Sequence, residues 1–180
     1  MTSTPIQLAH MTAILATRGQ NFQPRLVRAL RDPETQKVTE LAPKALPRPN
    51  AGKLEDWDRV VDGMLAVMQG GTASRAAAGA PYTIAGKTGT AQVFTVAQNK
   101  RYNEAAISER LRDHAWFVAF APAEAPKIAI AVIVENGRSG SGTAAPIART
   151  IMDAYLLRKF PTVRRENATA PAPNSDVSEE

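Results

Sequence analysis

The sequence predicts an α+β domain: an antiparallel sheet of three strands with helices on both sides. Three observations carry that prediction. Residues 114–120 (HAWFVAF) and 127–134 (KIAIAVIV) are nearly continuous apolar runs. The loop between them is short and holds Pro122 and Pro126, so they read as a hairpin covered on both faces. Residues 82–94 (YTIAGKTGTAQVF) precede them as a further strand, and helical periodicity stands on either side, at 54–69 and 146–160.

The elements follow in order. Thr4-Pro5-Ile6-Gln7 is a helix start, with Thr4 as cap, Pro5 at the first helical position and Gln7 completing a capping box. Ile6, Met11, Ile14 and Leu15 follow at helical spacing, and Gly19 ends the helix. Residues 26–30 and 37–41 flank Asp32-Pro33-Glu34-Thr35 and suggest a modest hairpin. Pro43, Pro47 and Pro49 then make a stiff, extended connection. In the next helix Trp57, Val60, Val61, Met64, Leu65 and Met68 share one face, read as core packing, and Gly70-Gly71 stops it. The last helix places Ile147, Ile151, Ala154 and Tyr155 on one face, as cover for the sheet. From Pro161 onward the chain is polar and proline-rich, and it reads as a disordered tail that follows a folded segment at 1–160.

Composition excludes several chemistries. The 180 residues include no cysteine, which removes disulfides, thiolate metal sites and cysteine nucleophiles. The net charge of +5 comes from scattered basic residues without interleaved aromatics, which argues against a nucleic-acid surface. No run approaches the roughly 18 apolar residues of a membrane span, and the first residues do not read as an export signal. Asp113 and His114 are adjacent and would point to opposite faces of a strand, and His10 has no partner placed by the sequence, so no metal site is expected. Arg110, Arg112 and Asp113 read as an ion-paired loop, and residues 136–142 as a flexible turn into the last helix.

The GKT at Gly86-Lys87-Thr88 resembles the end of a phosphate loop, but that motif needs a glycine at position 81, where Pro81 stands. It also needs a helix after the lysine, and strand formers follow instead. Lys-Thr-Gly on a strand is a different device. A strand points residues 87 and 89 to one face and 88 and 90 to the other. Gly89 lets a ligand lie against the backbone, Lys87 supplies positive charge, and Thr88 and Thr90 supply hydroxyls.

The longer context GKTGTAQVF, LRDHAWFVAFAP and IAIAVIVENG, with TSTPIQLAHMTAILATRG before it, resembles the C-terminal part of the transpeptidase domain of class B penicillin-binding proteins. The branch most similar serves rod-shape elongation. The resemblance spans roughly residues 2–160. It implies the penicillin-binding protein and serine β-lactamase-like fold, incomplete here, with three strands of the parent's five. The neighbour of the KIAIAVIV strand would then precede Met1, leaving an apolar edge. The resemblance implies that Lys87 sets the electrostatics of acylation and that Thr88 and Thr90 hold a substrate or β-lactam carboxylate. It gives the Thr90 N–H half of the oxyanion hole and Gly89 the close approach, while Gly86 eases the backbone into the strand. No cofactor and no metal are implied. The implied partners are a D-Ala-D-Ala stem peptide and β-lactams, with cell-wall elongation proteins as further candidates. The implied site is the periplasmic face of a bacterial inner membrane.

Two motifs of that family are missing. No serine among 3, 74, 108, 139, 141, 175 and 178 has lysine at the third following position or asparagine at the second. None of the three tyrosines heads a Tyr-x-Asn variant. The expectation is therefore a piece of a peptidoglycan D,D-transpeptidase, a fragment or a truncated product, that is inactive alone. The alternatives are a non-catalytic remnant or binding piece, and part of a DD-carboxypeptidase or β-lactamase.

Overall fold

A computed structural model describes residues 3–92 and 108–160. The first cap forms as the sequence requires. Gln7 N–H donates to Thr4 Oγ1 at 3.3 Å, and Thr4 N–H to Gln7 Oε1 at 2.8 Å. Helix α1, Pro5–Ala16, closes through Gly19, whose φ of +94° suits glycine. Its N–H donates to Ile14 O at 2.8 Å. The inward face of α1 differs from the expected one: Thr12 and Ala16 are buried, while Ile6 and Met11 are exposed. Burial costs Thr12 little, because its hydroxyl donates to Leu8 O at 2.7 Å.

Residues 21–46 hold two small antiparallel ladders. Asn21–Phe22 (β1) pairs with Ala45–Leu46 (β4), outside the expected hairpin of Ala29–Arg31 (β2) and Val38–Glu40 (β3). The proline segment is therefore more than a connection. His10 has a partner here after all, since its Nε2 lies 2.9 Å from Asn21 Oδ1.

Helix α2, Leu54–Gln69, has the expected bounds, and Gly70 caps it through an N–H to Ala66 O at 3.2 Å. Val61, Met64 and Met68 are buried, but Val60 is exposed, because it sits one step off the buried stripe. A four-residue helix α3, Ser74–Ala77, follows.

The main sheet contains Ala85–Ala91 (β5), His114–Ala121 (β6) and Ile128–Val134 (β7), antiparallel in the order β5-β6-β7. The expected strand start at Tyr82 moves to Ala85, and Val93 and Phe94 lie outside the described residues. Both faces are covered, as the apolar runs require. Phe117, Ala115, Ala119 and Val132 form one core with Met68 and α4. Ala85 and Phe120 form the other with Ala16, Val61 and Met64. Among the described residues no strand meets the outer edge of β7. No helix is long and apolar enough to cross a membrane, again among the described residues. The tail expected from Pro161 lies outside them.

A π-helical turn, Gly140–Ala144, leads into α4, Ala145–Leu157. The inward face of α4 is a correction to the sequence expectation. Ala145, Ala148 and Met152 face the sheet, while Ile147, Ile151 and Tyr155 are 42%, 43% and 53% exposed. Small residues let the helix sit close to the strands, and polar contacts hold its rotation. Tyr82 Oη donates to Asp153 Oδ1 at 2.6 Å, and Arg149 Nε to the same oxygen at 2.9 Å. Arg149 Nη1 also reaches the carbonyls of Ala76 and Ala78 at 3.2 and 3.1 Å. Burial pushes the Tyr82 phenol well above its ordinary range, and Asp153 adds to that push. Burial would also raise Asp153, but hydrogen bonds from Tyr82 and Arg149 outweigh it and hold the carboxyl below its usual range. The stability this contributes is present above the unfolded carboxyl range and is lost as pH falls through the depressed value.

Phe117 is the largest side chain of the α4-side core and is 1% exposed. Phe117→Ala is expected to cost about 3–5 kcal/mol of unfolding free energy, read by denaturant titration of the full-length protein. A cost under about 1 kcal/mol would contradict this packing.

Candidate active site

Among the described residues strand β5 is an edge of the main sheet, so alternate backbone groups face outward with no described strand to meet them. Gly86 has a packing role that the sequence did not show. A β-carbon there would stand 2.7 Å from Phe117 Cζ and 3.1 Å from Met68 Sδ. Glycine leaves room for both side chains to lie across it.

Past Gly86 the strand becomes accessible. Lys87 is exposed, and its Nζ donates to Thr88 O at 2.8 Å. Thr90 is exposed as well. Thr88 is half-buried, and its hydroxyl lies 3.1 Å from the hydroxyl of Thr72, in the turn between α2 and α3. Register places Lys87 opposite Val118 and Gly89 opposite Trp116, whereas Thr88 and Thr90 oppose Phe117 and Ala115. Direct cross-strand pairs share a face. The lysine and the two threonines therefore leave the strand on opposite sides, as the strand period requires.

Gly89 lies between two contacts. Its missing β-carbon leaves room for Trp116 Cβ, which would be 3.2 Å away. On the other side Gly140 packs against it, so that a β-carbon on Gly140 would stand 2.5 Å from both Gly89 O and Trp116 O. The turn at 136–142, read from sequence as flexible and without a role, is thus wedged against the centre of the motif.

A groove of about 490 Å³ opens beside Gly89, Thr90, Gln92, His114 and Trp116, with Leu8 of α1 also lining it. That volume suits a small ligand or a peptide end. Lys87 and Thr88 are not among its lining residues. A second groove of about 460 Å³ lies between α3 and α4, beside Arg75, Ser141, Arg149 and Asp153. It includes none of the motif residues, and its Arg149 is already occupied by Asp153 and two carbonyls.

His114 and Asp113 do not act as a pair. His114 Nδ1 accepts the N–H of Asn136 at 2.9 Å, which leaves Nε2 to carry the proton of the neutral ring. Asp113 Oδ1 is buried without a hydrogen-bond partner among the described residues. In the expected ion-paired loop, Arg112 meets Glu109 at 3.7 Å among the described residues. Among the described residues no group of three or more His, Asp or Glu is placed to hold a metal.

The geometry combines a cation, two hydroxyls and an open edge around one glycine, beside a groove. The sequence model of the penicillin binding protein transpeptidase domain matches residues 1–153. The chain belongs to that family. It is 48% identical over 171 residues to the peptidoglycan D,D-transpeptidase MrdA of Acinetobacter baumannii, covering 95% of this chain and 24% of that protein. The structure is similar to Pseudomonas aeruginosa PBP2 in complex with WCK 5153. The TM-score is 0.68 at 41% identity, over 92% of this chain and 32% of that one. It is also similar to penicillin-binding protein A of M. tuberculosis as its imipenem acyl-enzyme complex. There the TM-score is 0.67 at 31% identity, over 86% of this chain and 31% of that one. The chain therefore spans about a quarter of the curated relative it matches, and its fold is that of the penicillin-binding protein transpeptidase domain.

Three residues at this strand were given no role in the sequence reading. Thr72 touches Thr88, Trp116 floors the groove at Gly89, and Gly140 presses on the backbone of Gly89. The spacing of Gly140 in a glycine-rich turn could have flagged a close approach. Nothing local marks Thr72, since its partner lies sixteen residues on.

Proposed function

We propose that this chain forms the C-terminal part of the catalytic domain of a serine-type peptidoglycan D,D-transpeptidase. One observation carries the reading: Lys87-Thr88-Gly89-Thr90 lies on an edge strand with Lys87 and Thr90 exposed and Gly89 and Thr90 lining a groove, within a transpeptidase-family match over residues 1–153. In this reading the substrate is a stem peptide ending in D-Ala-D-Ala. The Thr88 and Thr90 hydroxyls hold its terminal carboxylate. Lys87 supplies positive charge beside the nucleophile, and the Thr90 N–H donates to the developing oxyanion, a contact worth about 3 kcal/mol of barrier. The nucleophilic serine attacks the penultimate carbonyl and D-alanine leaves. An acceptor amine then attacks the acyl-enzyme, forms the cross-link and frees the serine. A β-lactam carbonyl reacts at the same place, and its ring nitrogen is the leaving group. No cofactor enters.

No serine in the 180 residues has lysine three positions on, so we place the nucleophile in polypeptide outside this chain and expect the chain alone to be inactive. That observation also supports the second reading, a non-catalytic piece. The parent would work on the periplasmic face of a bacterial inner membrane, with cell-wall elongation proteins as partners.

Fluorescent penicillin tests the proposal. The full-length protein is expected to label covalently, with label lost on competition by unlabelled penicillin, and the 180-residue chain is expected not to label. Labelling of the short chain would reveal a nucleophile within it. Absence of label on the full-length protein would remove the acyl-transfer reading.

A further inference from the structure

Thr72 stands outside the Lys-Thr-Gly motif, yet its Oγ1 lies 3.1 Å from Thr88 Oγ1. Either hydroxyl could be the donor on geometry alone. Chemistry separates the two cases. A threonine hydroxyl has one proton. If Thr88 spends it on Thr72, Thr88 turns lone pairs toward any carboxylate beside it, and the contact is repulsive. If Thr72 donates, the Thr88 proton stays free for the ligand. The chain then runs from the Thr72 hydroxyl to the Thr88 hydroxyl to a carboxylate oxygen, and each bond polarises the next.

The position of Thr72 is built into the fold. Gly71 folds the chain back over α2, with its N–H on Ala66 O at 3.0 Å. A β-carbon on Gly71 would stand 2.7 Å from Val67 Cα, so that fold-back admits only glycine without rearrangement. On the other side Ala73 is 1% exposed and donates its N–H to Val67 O at 3.2 Å. Thr72 is therefore pinned between two anchored residues while its own side chain stays accessible. The Thr72 hydroxyl is exposed and needs no rescue from burial, so burial does not explain why it is held against a hydroxyl of the motif strand.

We propose that Thr72 is a positioning residue that donates to Thr88 and so orients the Thr88 hydroxyl toward the carboxylate of the acyl donor. This rests on the carboxylate reading of the proposed function. It extends the carboxylate site to a residue on the turn between α2 and α3. Its consequence is selectivity: Thr72 favours ligands with a free carboxylate and contributes nothing to ligands without one.

The experiment uses the full-length protein and two ligands, a penicillin and its methyl ester. The second-order acylation rate is measured for each, and their ratio is the readout. Thr72→Val is expected to lower the acid-to-ester ratio about fivefold, an ordinary hydrogen bond's worth. Thr72→Ser is expected to keep the ratio, because it keeps the donor. Thr88→Val is expected to lower it at least as much. A normal ratio in Thr72→Val with a lowered ratio in Thr88→Val overturns the inference and leaves the carboxylate reading standing. Normal ratios in both variants overturn the two together. Equal loss toward acid and ester in Thr72→Val would show a merely structural role and also overturn the inference.

Discussion

Replacing Lys87 by alanine in the full-length protein is expected, on the proposed function, to lower the second-order rate of penicillin acylation by about 10²- to 10³-fold, the scale of losing one oriented electrostatic partner of the reacting group. The fold is expected to survive this substitution. Lys87 is exposed on an edge strand, and its described hydrogen bond runs to the carbonyl of its own neighbour, Thr88, at 2.8 Å. Exposed substitutions of this kind usually move stability by no more than about 0.5 kcal/mol. The two measurements are a stopped-flow acylation rate and an unfolding midpoint, taken on the same preparation. Acylation at the unsubstituted rate would remove Lys87 from the chemistry. A large fall in stability would instead give it a structural role that its exposure does not support.

Gly140→Ala carries the second large effect, and it acts on the backbone. The added methyl carbon would stand 2.5 Å from Gly89 O, 2.5 Å from Trp116 O and 3.0 Å from Gly89 N. All three are main-chain atoms in a paired sheet, so no side-chain rotation relieves the overlap. Either the turn lifts or the motif strand moves. The expected cost is about 1–3 kcal/mol of stability, the usual range for overpacking. Acylation is expected to fall as well on the proposed function, because Gly89 lies between Thr88 and Thr90. Gly142→Ala is the control in the same turn, since its methyl would meet only the Ser139 side chain, at 3.2 Å. That variant is expected to stay within about 0.5 kcal/mol of the parent. If Gly140→Ala were as mild as Gly142→Ala, the turn would not press on the motif. Gly140 is not needed for a left-handed backbone, since the glycines at positive φ are Gly19, Gly52 and Gly79. Space alone requires it.

The stability of the main sheet and the accessibility of the motif come from the same strand. Its first half is buried at Ala85 and Gly86, and its second half opens at Lys87 and Thr90. The buried half fixes the register through Phe117, Met68 and Phe120, while the open half leaves polar groups for a ligand. A rigid base under an open end is what a preformed site requires.

Local patterns settled a good part of this architecture without coordinates. The Thr4 cap, the bounds of α2, its stop at Gly70 and the β6–β7 hairpin follow from residue type and spacing, because each is an interaction between near neighbours. Rejecting the phosphate loop needed only Pro81 and the strand formers after Lys87. Other features depend on residues far apart in the chain. Periodicity finds an apolar stripe on α4 but cannot choose between Ile147-Ile151-Tyr155 and Ala145-Ala148-Met152. Close approach to the sheet and the bond of Asp153 to Tyr82, seventy-one residues away, make that choice. The contacts of Thr72 with Thr88 and of Gly140 with Gly89 arise in the same way. The composition of a segment records what it must bury. Which neighbour it meets depends on how distant segments fit, and no local pattern encodes that fit.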